Sequence, residues 1–311
     1  MTPSDAFSAY DAIVSNRAPD DPWTHGPGEQ PRYRPDFDIL GQLLTIPVLA
    51  GEVSESGRFA KGIDAWVAHE LRRAGFGEDE VWPRPTRPRV LPRDIAVMLD
   101  KLPRKLAEDL RQRLTRLPAV GPTDAKVLGR AYYKQVDVCI SRWDRGPEVL
   151  ISTKAQLSSF GKNLPNRFEE AYGDAGNLRG RYPLAAVGFL FVQRSTILTD
   201  EPDTFERTID MIRKLRDPGG SNGYTATGLA LVDWAGGGAN VRVEADSVPD
   251  DVAPPQFFTA MIAHVLAVTP IVHHVTVRSR FERRGIPVPE QDATELSSDD
   301  DPFPSPADAE D

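Results

Sequence analysis

Asp137, Ser152 and Lys154 are residues whose types and spacing could do chemistry together. They lie on two β-branched segments, KQVDVCIS (134–141) and EVLISTKAQ (148–156), which flank the turn-forming run RWDRGP, so a β-hairpin is expected. Side chains alternate between the faces of a strand. Gln135, Asp137 and Cys139 therefore share one face of the first segment, and Ser152, Lys154 and Gln156 share one face of the second, with Val149, Ile151 and Thr153 opposite. An acid and a lysine near the ends of neighbouring strands would meet across the hairpin. That pairing suits hydrolysis of a phosphodiester. A carboxylate can hold Mg²⁺, which polarises the phosphate and acidifies a water, while an adjacent lysine orients that water and offsets developing charge. The bare pattern D-x(n)-S-x-K is sparse, since two amphipathic strands with solvated polar faces produce it as well.

The elements that must position these residues are legible around them. A helix is expected across Arg58–Ala74, with Ile63, Trp66, Val67, Leu71 and Ala74 on an apolar face and Gly75 as its stop. VWPRPTRPRVLPR (81–93) carries four prolines and should hold no regular element, and a second helix should cover Arg93–Leu117. After the hairpin come a helix about Pro165–Leu178, a buried strand in PLAAVGFLFV (183–192), an amphipathic helix over 202–216, a strand over 224–234 and an apolar helix over 255–268. Helix, hairpin, helix, strand, helix, strand describes an α/β fold with a mixed central sheet flanked by helices. Residues 1–50 form an N-terminal arm, irregular over 1–36; residues 51–285 form the main domain, with an Arg-rich helical insertion at about 80–125; residues 286–311 form an acidic tail.

In this setting the residues resemble the PD-(D/E)xK nuclease superfamily, whose core carries an Asp on one strand and (D/E)-x-K on the next. Here Val136 precedes Asp137 where the pattern has Pro, and Ser152 stands where it has an acid. A serine hydroxyl is a neutral, weaker Mg²⁺ ligand than a carboxylate. One branch, the restriction enzymes whose sites share a CCGG core, is similar in having S-x-K, with the missing acid supplied by a glutamate on the next helix. Ser152-Thr153-Lys154 followed by EEAYGDAGNLRGRYP from Glu169 looks like that pattern. The resemblance implies a restriction-endonuclease-like fold. It makes Glu170 the migrated metal ligand, with Glu169 its neighbouring alternative, and Asp137 the other, with the Thr153 carbonyl a further candidate; Lys154 would assist the water. It also implies a supporting acid on the first helix, Asp64, with Glu70 a competitor on a different helical face. The branch's Arg-and-Asp recognition segment is replaced by SFGKNLPNRF, so its site specificity does not carry over. The resemblance spans about residues 58–193.

Composition sets the outer bounds. The 311 residues are 40% hydrophobic and 27% charged, as in a globular protein. No apolar run approaches a membrane span, and the first residues, MTPSDAFSAYDAIVSN, lack a basic start followed by an apolar stretch, so a cytoplasmic protein is expected. The single Cys139 rules out an intramolecular disulfide or a cysteine-cluster zinc site and reads as a buried apolar residue. From Ile286 onward there are nine acids and no Lys or Arg, so the net charge of −9 resides in the tail, which should be disordered. The rest is near neutral. Arg84, Arg87, Arg89 and Arg93, then Lys101, Arg104, Lys105, Arg111, Arg113 and Arg116, offer a phosphate-neutralising surface, with Arg278, Arg280, Arg283 and Arg284 a second one. Gly219-Gly220 and Gly236-Gly237-Gly238 read as hairpin loops, and His273-His274, adjacent in an apparent strand, point to opposite faces and make no metal pair.

The expectation is a Mg²⁺-dependent endonuclease of double-stranded DNA, of the type II restriction or phage-defence kind. A palindromic target would call for a homodimer, and a methyltransferase or defence-system protein would be a companion. The alternatives are a nonspecific repair or defence nuclease and an inactive nuclease-like module that only binds DNA or a protein.

Overall fold

The computed structural model describes residues 5–17, 20–26, 28–51, 57–117, 119–162, 164–220, 222–236 and 240–287. The acidic tail beyond Pro287 and the glycines Gly237 and Gly238 lie outside the described residues.

In chain order the elements are α1 (Ser8–Ser15), β1 (Trp23–Thr24), β2 (Arg32–Tyr33), α2 (Phe37–Leu49), α3 (Arg58–Ala74), β3 (Val81–Trp82), α4 (Arg93–Lys101) and α5 (Arg104–Thr115). There follow β4 (Ala125–Leu128), β5 (Tyr133–Val136), β6 (Val138–Arg142), β7 (Gly146–Gln156), α6 (Leu164–Arg179), β8 (Ala186–Arg194), α7 (Ile197–Asp200) and α8 (Pro202–Leu215). The last are β9 (Ala226–Asp233), β10 (Arg242–Val243), α9 (Pro254–Val268) and α10 (Val275–Glu282).

The main sheet has the order β10-β9-β8-β7-β6-β3. β6 and β7 are antiparallel, joined by the expected hairpin, whose turn ends at Gly146 with φ +71°. β7, β8 and β9 run parallel, connected by α6 and by α7–α8. The alternation along β7 decides what lies on each side. Val149 and Ile151 join a core with Ile63, Trp66 and Val67 of α3 and Phe257 and Phe258 of α9. Leu150 joins the opposite core, with Phe168 of α6, Phe205 of α8 and the β8 residues Phe189 and Phe191. The sheet is thus mixed and covered on both faces, which is why β8 and β9 read as continuous apolar runs. Gly188 and Gly228 let α9 come close: an added Cβ at Gly188 would lie 2.9 Å from the Phe257 ring.

α3 has the expected bounds, and Gly75, at φ +112°, ends it. Its apolar positions Ile63, Trp66, Val67, Leu71 and Ala74 are all buried. α6, β8, α8, β9 and α9 also fall where their patterns put them, within a few residues.

Several expectations are corrected. The proline-rich stretch 81–93 opens with β3, paired with β6, and Gly219-Gly220 lie between α8 and β9 rather than in a hairpin. The segment 1–36 is not an irregular arm alone: α1 and the β1–β2 pair fold onto the body, with Phe7, Tyr10, Trp23 and Tyr33 buried. Tyr10 donates to the Arg58 carbonyl at 2.8 Å. The helix expected over Arg93–Leu117 is two helices, because Pro103 cannot continue the first and caps the second. These pack on a small core of Leu91, Ala96 and Leu99. His273 and His274 lie in the turn after Pro270 rather than in a strand; His274 (φ +54°) precedes α10 and meets Glu148 at 3.1 Å. Cys139 is buried, and burial pushes its thiol up to about 12, in keeping with an inert apolar role. Among the described residues no helix is long and apolar enough to cross a membrane.

Candidate active site

The candidate site is built where β7 passes between α3 and α6. Asp137 occupies the break between β5, which belongs to a separate two-stranded sheet with β4, and β6 of the main sheet. Its own N–H donates to the Ile151 carbonyl at 3.2 Å, so the residue is anchored at the end of the β6–β7 ladder. Its Oδ2 accepts the backbone N–H of Thr153 at 2.9 Å. The Thr153 side chain points to the α3 face, and its hydroxyl donates to Asp64 Oδ1 at 2.6 Å. One residue therefore orients both acids, by its backbone toward Asp137 and by its side chain toward Asp64.

Asp64 is fully buried, and its Oδ2 has no hydrogen-bond partner. The nearest positive charge is Lys61, one helical turn earlier on α3, with Nζ 3.4 Å from Oδ2. Burial and the neighbouring charge of Asp137 push the Asp64 carboxyl up to about 7, against the opposing pull of Lys61. Asp137 is raised too, chiefly by burial, against the Thr153 N–H bond and the charges of Lys154, Lys61 and Lys134. Burial thus disfavours the charged form of both acids, and Asp137 adds to the push on Asp64, a pattern shared with acid–base and cation-binding sites.

On the other face of β7, Lys154 points to α6, where its Nζ meets Glu170 Oε1 at 3.3 Å. Lys134 of β5 reaches the same oxygen at 3.3 Å and also pairs with Asp174. Burial works the other way, yet Lys154 and Lys134 hold Glu170 below the usual carboxylate range. Ser152 is buried on this face, beside Leu150.

Of the residues singled out from sequence, Asp137, Thr153 and Asp64 come together directly; Lys154 follows Thr153 along β7 but turns to the opposite face, toward Glu170. Glu170 is turned to the two lysines. Among the described residues no three His, Cys, Asp or Glu side chains converge on a cation position, so Glu170 does not complete a three-acid set with Asp64 and Asp137. Glu169 is exposed on α6. Glu70 lies in another network altogether, bonded to Arg73, Tyr33 and the Asp36 N–H.

Lys61, Asp124, Lys134 and Asp174 are site neighbours that sequence reasoning missed. Two had a signal: Lys61 stands three residues before Asp64 and Asp174 four after Glu170, each pair on one helical face. Asp124 receives Lys61 at 3.0 Å. The Arg-rich region is largely committed elsewhere: Arg84 and Arg89 are buried, the first paired with Asp79 and the second with Asp5 and Asp11, while Arg87 holds Asp5 and Arg113 holds Asp109. In the second cluster Arg278 is buried and donates to the Leu266 carbonyl.

No protein-family model, curated protein or solved structure matches this chain.

Proposed function

We propose that this chain is a Mg²⁺-dependent endonuclease of double-stranded DNA, acting in the cytoplasm as a type II-like restriction or phage-defence enzyme. The observation that carries the reading is the pairing of Asp64 and Asp137 through Thr153, with Lys154 next along the same strand. The order α3, hairpin β6–β7, α6, parallel β8 supports it, because that is the arrangement the PD-(D/E)xK resemblance implies.

The donor set fits magnesium. Both groups are hard oxygen ligands, one with a buried oxygen lacking a hydrogen bond, and Mg²⁺ is commonly held by one or two carboxylates with the remaining positions left to water and substrate phosphate. Asp64 and Asp137 would hold it, in place of the Asp137–Glu170 pair expected from sequence. When bound, the ion would supply charge neutralisation at the phosphate and a more acidic water. Thr153 keeps the two carboxylates oriented. Lys154, whose ammonium Glu170 holds at 3.3 Å, would offer N–H donors to the phosphate or the attacking water. Ser152 is set back in the core and supports the strand rather than the metal. The homodimer, and the companion methyltransferase or defence protein, follow from the restriction reading alone.

The test is incubation of the purified chain with plasmid and phage DNA in Mg²⁺ and in EDTA. Discrete magnesium-dependent fragments are expected, lost in Lys154→Ala while DNA binding persists. A smear would make the enzyme a nonspecific repair or defence nuclease. Full cleavage by Lys154→Ala would overturn the site, and DNA binding without any cleavage would leave an inactive binding module.

A further inference from the structure

Lys61 has no assigned part in the reaction proposed above, yet its ammonium lies 3.4 Å from Asp64 Oδ2 and acts on Asp137 as well. It projects from α3 into a narrow cleft lined also by Phe7, Trp82, Asp124, Val136 and Asp137. Its side chain is 22% exposed, and its ammonium lies between Asp64 Oδ2 at 3.4 Å and Asp124 Oδ1 at 3.0 Å, over the Phe7 ring at 5.0 Å. Despite burial, which works the other way, Asp64, Asp124 and Asp137 favour its charged form. Two buried acids held by one residue, Thr153, need a compensating cation for both to ionise. Lys61 is in position to supply that charge while its Nζ also holds Asp124 at 3.0 Å, an acid on the wall of the same cleft.

We propose that Lys61 is the resident counter-cation of the Asp64–Asp137 pair: it balances the acids until a divalent ion arrives, then yields Asp64 Oδ2 and keeps Asp124 as its sole partner. This rests on reading the pair as a divalent-cation site. Lys61 is then a positioning residue that sets metal affinity. A tethered ammonium competes with any incoming ion, so the site discriminates against ions too weak to displace it. The Phe7 ring and Asp124 give the displaced ammonium a place to remain without crossing the cleft.

The experiment is titration of the DNA-free full chain with Mn²⁺ by calorimetry, together with thermal unfolding in EDTA and in Mn²⁺. Lys61→Gln should melt below wild type in EDTA, bind Mn²⁺ about tenfold more tightly, and gain more in Tm from the ion than wild type does. Lys61→Arg should behave as wild type. If Lys61→Gln is too unstable to handle, Lys61→Gln combined with Asp64→Asn should recover stability, because the charge that needed balancing is gone. Mn²⁺ binding by Lys61→Gln that is no tighter than wild type, or no recovery in the double variant, overturns the proposal. Failure of the underlying reading looks different: Asp137→Asn would then bind Mn²⁺ as well as wild type.

Discussion

The helix α3 carries two buried acids, Asp64 and Glu70, less than two turns apart, and they live in opposite circumstances. Glu70 accepts from Arg73 at 2.6 Å, from the Tyr33 hydroxyl at 2.9 Å and from the Asp36 N–H at 2.7 Å. Asp64 accepts one hydroxyl, has one oxygen without a hydrogen bond, and faces a second acid. Both carboxyls are pushed up to about 7, first by burial; Glu70 has Arg73 pulling the other way, and Asp64 has Asp137 adding to the push. The same displaced value thus describes two different things. At Glu70 every polar atom is answered within the fold, tying the β1–β2 segment and the start of α2 to α3. At Asp64 one oxygen has no hydrogen bond and, among the described residues, is balanced only by the Lys61 ammonium 3.4 Å away. A buried acid is informative through what is missing around it.

The contrast is open to direct attack. The largest stability effect should come from Glu70→Ala, which strips Arg73 and the Asp36 N–H of their buried carboxylate, while the Tyr33 hydroxyl keeps only the Glu70 carbonyl. A loss of ~3–5 kcal/mol in urea denaturation is expected. A loss below ~1 kcal/mol would mean that the Glu70 network is dispensable.

Asp64→Asn should behave in the opposite way. It keeps an oxygen for the Thr153 hydroxyl and removes one of two mutually repelling charges, so stability in EDTA at pH 8 should match or exceed wild type while cleavage is lost. The pH dependence sharpens this. Because the folded-state value of Asp64 lies above its ordinary 3.8, the folded chain binds the proton more tightly than the unfolded chain. This contribution is therefore full at or below about pH 4 and is lost as pH rises through about 7. Asp64→Asn should flatten that slope over the window, and a divalent ion should flatten it in wild type. An unchanged slope in Asp64→Asn would remove Asp64 from the account.

The smallest effect separates the two neighbouring glutamates. Glu170→Gln releases Lys154 and Lys134 and should lower cleavage, whereas Glu169→Gln should leave it unchanged. Both should stay within ~0.5 kcal/mol of wild-type stability, because the positions are exposed or partly so. Equal cleavage by the two variants would place Lys154 beyond the influence of α6.

Much of the frame was legible because its signals are strong and local. α3 has an apolar stripe closed by a glycine, the β6–β7 hairpin has β-branched runs around a turn, and β8 is an apolar run led in by Pro183. Strand alternation puts Asp137 and Lys154 on their strands; Asp64 comes only from the family resemblance, and Thr153 enters through its carbonyl, not through the hydroxyl that holds Asp64. What escaped depends on contacts between distant segments. Nothing local announces that Phe7, Tyr10, Trp23 and Tyr33 bury themselves, because aromatic residues among Pro, Gly and Asp have no period. Pro103 was present to be read as a break, but the Leu spacing on both sides of it suggested one helix. The sequence does not announce the lysine partners of Glu170: helix phase puts the residue toward the sheet, but its contacts with Lys154 and Lys134 depend on where β5 arrives.

The doubly used residue Thr153 has a consequence for how the molecule comes into being. Its hydroxyl bond reaches back 89 residues to Asp64 and its backbone bond 16 residues to Asp137, while Lys154 reaches forward 16 to Glu170. A growing chain synthesised as far as the end of β6 already carries both acids and has no means of aligning them. Alignment waits for β7 to pair, and the lysine is steadied only once α6 has formed. Such long-range closure is costly early and rewarded late, so a product truncated before β7 leaves Asp64 and Asp137 unaligned until synthesis has passed the strand that joins them.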